Sequence, residues 1–168
     1  MTQATSDTAT SDTATSDTAT RWLDDREMVA WRNFIETHYD LMSALERDLS
    51  ASASGMALGD YQVLVYLSES DDHQMRMCDL ADRLQLSPSG LTRRLDGLVK
   101  AGHVRREPST SDRRVMMATL TDEGMEALRE AAPHHVESVR RRVFDHLDDE
   151  QIENLGTIFG AIHAGLEQ

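Results

Sequence analysis

The chain has 168 residues, a formal net charge of −13, a single cysteine and 5% aromatic residues. One cysteine excludes an intramolecular disulfide, and no run approaches the roughly 18 apolar residues that a membrane span needs. The N-terminus lacks the positive and apolar regions of a secretory signal. Few aromatic residues favour helical packing over a β-sandwich, and the sparing use of cysteine predicts a reducing, cytoplasmic location.

A five-residue repeat occupies the start of the chain, where residues 4–20 read ATSDTATSDTATSDTAT. The unit contains no hydrophobic residue larger than alanine, so it cannot bury enough apolar surface to offset the entropy of ordering. We therefore expect residues 1–21 to form a disordered tail.

Two amphipathic helices are predicted before residue 70. Between residues 22 and about 49, apolar residues recur at steps of three and four, which is typical of one long helix. Its apolar face holds Trp31, Phe34, Ile35, His38, Leu41, Met42, Leu45 and Leu49. The stretch SASASG at 50–55 ends this helix, and a shorter helix follows over residues 58–67. The polar stretch SESDDHQ at 68–74 is predicted to be a loop.

Residues 76–102 carry the pattern of a helix-turn-helix. A short helix ends near Gln85, Ser87 is a favourable N-cap for the next one, and Pro88 suits its first position. Gly102 then ends the second helix as the residue after its C-cap. The apolar residues recur at helical spacing in both helices: Leu80, Ala81 and Leu84, then Leu91, Leu95, Leu98 and Val99.

After the second helix the apolar residues take a period of two, which is typical of β-strands. HVRRE at 103–107 is predicted to be a strand, PSTSD at 108–112 a turn and RRVMMATL at 113–120 the returning strand. Thr121 then caps a helix that runs towards His146, and Pro133 should kink or split that helix. Asp148 caps a last helix with one apolar face: Ile152, Leu155, Ile158, Phe159, Ile162 and Leu166. This order predicts a mainly α fold, a winged helix-turn-helix with a small β-hairpin wing.

Basic residues are concentrated between residues 87 and 114, although the chain is strongly acidic. That segment has a net charge of +4, whereas the other 140 residues sum to −17. On a helical wheel Arg93 points directly away from the apolar stripe. The rest of this outer face is small and polar: Ser89, Asp96 and Gly97 beside Arg93, with Thr92 and Arg94 at the sides. Such a face fits a major groove, where Arg93 could reach a guanine edge.

The tip of the predicted hairpin supplies a second basic group, Arg113 and Arg114. Arginine on a narrow turn fits the minor groove, where the potential over A·T tracts is most negative. Asp112 precedes the pair and is predicted to orient one arginine through an ion-pair hydrogen bond. We therefore expect nucleic-acid binding through both the helix-turn-helix and the hairpin.

Together these residues resemble the signature of the MarR family of transcriptional regulators. The resemblance is carried by Leu91-x-Arg93, Leu98-Val99, Gly102, Val104, Asp112-Arg113-Arg114 and Thr121-x-x-Gly124, and it covers residues 31 to 166. Two positions depart from the family's pattern. Gly90 stands where a small polar residue or alanine is usual, and His103 stands where a large apolar or aromatic residue is usual.

The resemblance implies a homodimeric regulator that binds double-stranded DNA at a pseudo-palindromic operator, represses transcription and releases DNA when a small molecule binds. It implies N- and C-terminal dimerisation helices at 22–56 and 122–168, around a DNA-binding domain at 57–121. The implied DNA contacts are Ser87, Ser89, Gly90, Thr92, Arg93, Arg94, Ser111, Asp112, Arg113 and Arg114. In the family's D-x-R pattern Asp112 pairs with Arg114 and leaves Arg113 to enter the groove, although the sequence also allows the reverse.

The resemblance also implies a pocket for an effector between the dimer helices and the DNA-binding lobe. Phenolic and carboxylate metabolites are the compounds to screen for it. Its predicted lining residues are Trp31, His38, Met42, Tyr61, Val65 and Arg94.

Other classes of function have less support in the sequence. A redox-responsive regulator would use Cys78, which is instead predicted to be a small buried side chain. A metal-responsive regulator would need clustered ligands, but His134 and His135 are adjacent and lack metal-site spacing, so no metal or cofactor is expected. No phosphate loop, nucleophile elbow or acid–base pair indicates an enzyme. A winged helix that binds a basic protein partner remains the alternative from another class, and the basic segment argues against it.

Overall fold

The computed structural model describes residues 20–166, so residues 1–19 of the predicted tail lie outside the described residues. The chain divides after Glu36 into two units. The first helix, α1 (Asp25–Ser50), begins in the first unit and ends in the second. Asp24 starts it with a reciprocal cap, because its carboxylate accepts the Glu27 N–H at 2.8 Å and the Glu27 carboxylate accepts the Asp24 N–H at 2.9 Å. The predicted long N-terminal helix is confirmed.

The second unit packs its helices around a core of leucine and valine side chains. α2 (Leu58–Ser68), α3 (Met77–Arg83) and α4 (Pro88–Lys100) supply most of this core. The largest fully buried side chains are Leu49, Val63, Leu64, Leu67, Leu80, Leu91, Leu95 and Val104. The inner faces predicted for α3 and α4 from helical spacing are confirmed.

The turn between α3 and α4 is held by hydrogen bonds and contains no glycine. Gln85 takes a left-handed conformation, with φ of 53°, directly after the C-cap of α3. Its side-chain amide donates to the Asp82 carbonyl at 2.8 Å. Ser87 then caps α4 by accepting the Gly90 N–H at 3.1 Å, as the sequence predicts. The two helices therefore form the predicted helix-turn-helix.

The chain also forms a three-stranded antiparallel sheet, in which β1 (Gln74–Arg76) and β2 (Val104–Pro108) lie on either side of β3 (Met116–Leu120). β2 (Val104–Pro108) and β3 (Met116–Leu120) form the predicted hairpin, in which Val104 lies opposite Leu120. The sequence does not predict β1 (Gln74–Arg76), which pairs with β3, and the predicted loop at 68–74 is wrong at Gln74, where it overlaps this strand. Three residues are too few for a period of two to show, so this strand is stabilised by the open edge of β3 and has no local signal.

The Thr121-x-x-Gly124 motif joins the wing to α5 (Asp122–Arg142). The Thr121 hydroxyl donates to the Gly102 carbonyl at 2.6 Å and accepts the Gly124 N–H at 3.0 Å, so it caps α5 and fastens it to the end of α4. A Cβ at Gly124 would overlap the carbonyl oxygen of His103, so only glycine allows this close approach. The motif therefore fixes the place where the wing returns to the core.

The chain after the wing forms α5, a 3-10 turn at Phe144–His146 and α6 (Asp149–Leu166). α5 continues through Pro133, so of the two predicted outcomes, a kink or a split, the split is wrong. Pro133 lies on an exposed side of α5, where water can bind the carbonyl that loses its helical hydrogen bond. Asp148 caps α6 as predicted, because its carboxylate accepts the Gln151 N–H at 2.8 Å. The predicted mainly α fold with a small β wing is confirmed.

Candidate nucleic-acid interface and cavity

α4 turns a small polar face outward, opposite the buried Leu91 and Leu95. Arg93 lies at the centre of this face and is the largest side chain on it. Its neighbours on the face are all exposed: Ser89, Thr92, Asp96 and Gly97. Thr92 donates back to the Pro88 carbonyl at 2.9 Å, so its side chain lies close to the helix. The structure therefore presents Arg93 as a single long side chain on a narrow surface.

Carboxylates bind three of the seven cations between residues 87 and 114. Arg94 binds Asp60 at 3.1 Å, Arg105 binds Glu107 at 4.0 Å and Arg106 binds Asp96 at 2.7 Å. The other four have no ion-pair partner within residues 20–166: Arg93, Lys100, Arg113 and Arg114. These four are the cations that an external anion can reach without breaking an ion pair.

The tip of the wing carries two of these four cations. β3 starts at Met116 and not at residue 113 as predicted, so Arg113 and Arg114 lie in the turn itself. Two backbone hydrogen bonds close the turn, from the Ser109 N–H to the Val115 carbonyl at 2.8 Å and from the Val115 N–H to the Asp112 carbonyl at 2.9 Å. Both arginines are exposed and project from this closed turn.

Asp112 has a different partner from the predicted one. Its carboxylate accepts the backbone N–H of Arg114 at 3.0 Å, and within residues 20–166 no ion pair joins it to a guanidinium. A carboxylate in this position fixes the backbone of the turn and leaves the arginine side chains unconstrained. The predicted ion pair is therefore replaced by a backbone cap.

Three other residues that are predicted to contact DNA use their side chains within the protein. Ser87 uses its hydroxyl to cap α4 at Gly90, and Ser111 lies 3.0 Å from the Ser109 hydroxyl at the wing tip. Arg94 is half-buried, because its guanidinium lies over Gly59, where a Cβ would overlap it, and binds Asp60. Arg94 therefore connects α4 to α2, whereas the other predicted residues lie at the exposed start of α4 or at the wing tip.

A cavity of about 270 Å³ lies between the second half of α1, α2 and α5. Its lining is mostly apolar: Met42, Leu45, Leu58, Tyr61, Gln62, Val65, Tyr66 and His135. Three predicted pocket residues, Met42, Tyr61 and Val65, are brought together there. A cavity with this lining suits a small, largely apolar molecule with one or two polar groups.

His135 is a polar residue of the cavity that the sequence analysis did not assign to it. Its ring packs on that of Tyr61 with centroids 4.6 Å apart, and within the described residues its buried Nδ1 has no hydrogen-bond partner. Burial lowers the pKa of His135 and raises that of Tyr61, to which Glu69 adds a smaller effect. His135 follows the buried Leu128 and Ala131 by seven and four residues, so helical spacing could have placed it on the inner face of α5.

The three other predicted pocket residues have different surroundings. His38 lies on an exposed side of α1, with its ring 5.7 Å from that of Tyr39. Arg94 is held by Asp60 at 3.1 Å. Trp31 belongs to the first unit, is 53% exposed and has its ring 6.0 Å from that of Phe34.

Asp48 fastens the end of α1 to the end of α5. Its carboxylate accepts hydrogen bonds from the Ser138 hydroxyl, from Arg141 at 3.0 Å and from Arg142 at 2.7 and 2.9 Å. Chiefly the Arg142 guanidinium, and then Ser138, hold the pKa of Asp48 well below its usual range. Ser138 follows His135 by about one helical turn, so this cluster lies close to the cavity.

Cys78 is exposed, so the prediction of a small buried side chain is wrong. It lies in the first turn of α3, and its thiol donates to the Asp79 carboxylate at 3.2 Å. The buried side of α3 is formed by Leu80 and Ala81 instead. Helical spacing was ambiguous here, because α3 has only seven residues.

Neither a cluster of metal-ligating side chains nor a membrane-spanning helix is present in the part of the chain that the structure describes. Residues 20–166 contain no group of three or more histidine, cysteine or acidic side chains placed to hold a metal ion. Among the helices of the same range, none combines the length and the apolar character of a transmembrane segment.

Known proteins similar to this chain are transcriptional regulators. A sequence model described as MarR family matches residues 54–115. The chain is 42% identical to AbsC, a MarR family transcriptional regulator from Streptomyces coelicolor, over 88% of this chain and 99% of AbsC, with a TM-score of 0.79. It is 42% identical to Sco3205, a MarR family transcriptional regulator from the same organism solved in complex with DNA, over 90% of this chain and 94% of Sco3205, with a TM-score of 0.82.

A curated relative is matched over a shorter range. The HTH-type transcriptional repressor YetL of Bacillus subtilis is 30% identical over 108 residues, which are 62% of this chain and 65% of YetL. The chain thus covers slightly less than two thirds of that repressor. AbsC and Sco3205, in contrast, are matched over nearly their whole length and share the fold described above. On these grounds the chain belongs to the MarR family of transcriptional regulators, whose members are not enzymes.

Proposed function

We propose that the protein is a homodimeric repressor that binds a pseudo-palindromic site in double-stranded DNA and releases it when a small molecule fills the cavity. The proposal rests on the position of the cations that have no carboxylate partner within residues 20–166. Arg93 projects from α4, and Arg113 and Arg114 project from the wing tip. An acidic protein that keeps unpaired arginines on two neighbouring protrusions has a surface for a polyanion.

The two protrusions match the two grooves of B-DNA. The outer face of α4 has one large side chain, Arg93, so the helix fits a major groove about 12 Å wide and its guanidinium can bind a guanine edge. The wing tip is a closed turn that fits the minor groove, where arginine is favoured. The small residues at the start of α4 and at the tip would lie beside phosphates: Ser87, Ser89, Gly90, Thr92 and Ser111.

A second copy of the chain is proposed to cover α6 and the start of α1. None of residues 149–166 is buried, and the apolar side chains of α6 lie open: Ile152, Ile158, Phe159, Ile162 and Leu166 are 36–79% exposed. The first unit likewise exposes Trp22, Leu23, Val29 and Trp31. Exposed apolar side chains grouped on an element, as on each of these two, indicate a protein interface. A two-fold dimer would present two α4 helices to half-sites about one turn of DNA apart.

The cavity is proposed to bind a phenolic or carboxylate effector. Its apolar walls would hold an aromatic ring, while the His135 imidazole and the Gln62 amide offer polar partners. α2 connects the cavity to α4, the proposed recognition helix, because Tyr61 lines the cavity and the adjacent Asp60 binds Arg94 on α4 at 3.1 Å. A ligand that favours a different position of α2 would therefore move α4 and lower the affinity for DNA.

DNA binding is tested by titrating the protein into a labelled fragment from upstream of its own gene and measuring fluorescence anisotropy at low salt. We expect saturable binding, and we expect in vitro transcription from that fragment to fall when the protein is added. Arg93→Ala should weaken binding, whereas Arg129→Ala, which removes an exposed cation of α5 that is paired with Glu126, should not. A wild-type protein that leaves the fragment unbound, or an Arg93→Ala variant that binds normally, contradicts the proposal.

Effector binding is tested by a thermal-shift screen of phenolic and carboxylate metabolites, followed by DNA-release assays with the compounds that raise the melting temperature. Val65→Phe reduces the volume of the cavity, so it should abolish both effects and leave DNA binding intact. Compounds that act equally on this variant would bind elsewhere.

The dimer is tested by light scattering on the protein after gel filtration. We expect the mass of two chains for the wild type. Ile158→Glu places a charge on the exposed apolar face of α6 and should give the mass of one chain. A monomeric wild type would overturn the dimer.

A further inference from the structure

Asp96 places a carboxylate on the side of α4 that is proposed to face DNA. It is the only acidic residue of α4, it follows Arg93 by about one turn, and its side chain is 58% exposed. A carboxylate without a counter-charge would be repelled by phosphates, since like charges across an interface lower affinity. The structure supplies the counter-charge, because the Arg106 guanidinium of β2 donates to Asp96 Oδ1 at 2.7 Å.

Arg106 is held more firmly than its neighbour on the same strand. Its side chain is 28% exposed, and its backbone lies opposite the buried Ala118 in the sheet. Arg105, the preceding residue, is 62% exposed and lies 4.0 Å from Glu107, at the outer limit of an ion pair. Arg106 therefore has a defined position between the wing and α4, and Arg105 offers a matched comparison.

The ion pair joins the two elements that are proposed to enter the grooves. α4 ends at Lys100 and β2 begins at Val104, so the chain connects helix and wing at one end only. The Asp96–Arg106 hydrogen bond is a second connection, about one turn before the end of α4. This side-chain contact adds to the pairing of β3 with β1 and restricts further how the wing lies against α4. An exposed ion pair contributes little to folding stability, so its effect should appear in DNA binding.

We propose that Arg106 is a positioning residue for DNA binding, which neutralises Asp96 and holds the wing against α4 without contacting DNA itself. This role rests on the proposed DNA-binding function. It separates the arginines of the wing into two kinds: Arg113 and Arg114 bind phosphate or groove edges, while Arg106 sets where those two side chains lie. It also gives Asp96 a purpose on a surface that would otherwise exclude acidic residues.

The test compares Asp96→Asn in three backgrounds: wild type, Arg106→Gln and Arg105→Gln. Glutamine keeps the apolar part of the arginine side chain, so packing on β2 is preserved. Dissociation constants for the upstream DNA fragment are measured by anisotropy over a series of salt concentrations. We expect Arg106→Gln to weaken binding about tenfold, and Asp96→Asn to restore most of that loss. In the wild-type and Arg105→Gln backgrounds Asp96→Asn should change affinity by no more than about twofold.

The salt dependence separates positioning from direct contact. An arginine that binds phosphate contributes about one to the slope of log K against log salt, so Arg106→Gln should leave the slope unchanged if Arg106 does not touch DNA. A flatter slope, or a gain from Asp96→Asn that is equal in all three backgrounds, would overturn the positioning role while leaving the proposed function intact. A wild-type protein that never binds the fragment would overturn both.

Discussion

Replacing Arg113 and Arg114 by alanine should flatten the salt dependence of DNA binding. The chain has four cations between residues 87 and 114 without a carboxylate partner in the described structure, and this pair makes up half of them. If all four reach phosphates, a dimer neutralises about eight charges, and log K should fall with log salt at a slope near −7. The double variant keeps about four of those contacts, which gives a slope of about −3.6.

These slopes predict a large difference at accessible salt concentrations. Raising the salt from about 50 mM to about 200 mM should weaken wild-type binding about ten-thousandfold and binding by the double variant about a hundredfold. The two proteins should therefore differ most at low salt, where the wing contacts of the wild type are strongest. Loss of fold would instead weaken binding at every salt concentration.

The measurement is fluorescence anisotropy with the labelled upstream fragment, repeated at five or so salt concentrations. The matched control removes two exposed cations of α5, Arg129 and Arg140, which are paired with Glu126 and Asp145. We expect the control to keep the wild-type slope. If the wing variant also keeps it, the wing does not touch phosphate and the groove assignment is wrong.

Three further predictions concern stability. Gly124→Ala should lower the free energy of unfolding by about 2 kcal/mol, because the new methyl group overlaps the His103 carbonyl; an unchanged urea midpoint would contradict this. Asp48→Asn should destabilise the protein at neutral pH, since the lowered pKa of Asp48 gives stability that is present above about pH 4 and lost as the pH falls further. The melting temperatures of this variant and the wild type should therefore converge in acid, and a constant gap would refute the assignment. His135→Phe keeps an aromatic ring at this position and removes the titratable imidazole. The pKa of His135 is lowered by burial, so the unfolded chain binds the proton first and the wild type should lose stability relative to the variant below about pH 6.5. Parallel melting profiles across that range would show that His135 is not buried in its neutral form.

The sequence was most informative where the determinants of structure are local. Ser87, Pro88 and Gly102 mark both ends of α4 because capping depends on residues within one turn. The outward position of Arg93 follows from helical spacing alone, since the opposite face is a run of leucines. The recognition helix and the wing could therefore be located from single residues and their periods.

Contacts between distant residues could not be predicted in the same way. Asp60 and Arg94 are 34 residues apart, and nothing in either segment shows that the two side chains meet. β1 has no periodic signal of its own, because it forms only where β3 leaves an edge open. The cavity was predicted in part, since Met42, Tyr61 and Val65 line it, whereas the contribution of His135 depends on how α5 packs against α2.

The acidic residues near α4 do more than reduce the positive charge of residues 87–114. Asp60 binds Arg94 and ties α4 to α2, while Asp96 binds Arg106 and ties α4 to β2. Each pair occupies one arginine that would otherwise be available to bind phosphate. Each pair also holds α4 against a second element, α2 in one case and β2 in the other, so that the two elements move together. The carboxylates elsewhere in the chain act only weakly at the interface, because charges more than about 8 Å away are largely screened at physiological salt. The strength of binding should therefore depend on the four unpaired cations, and the position of α4 on the two pairs. A variant that replaces the arginine of either pair would leave those cations in place and still impair binding, because they would no longer reach both grooves at once.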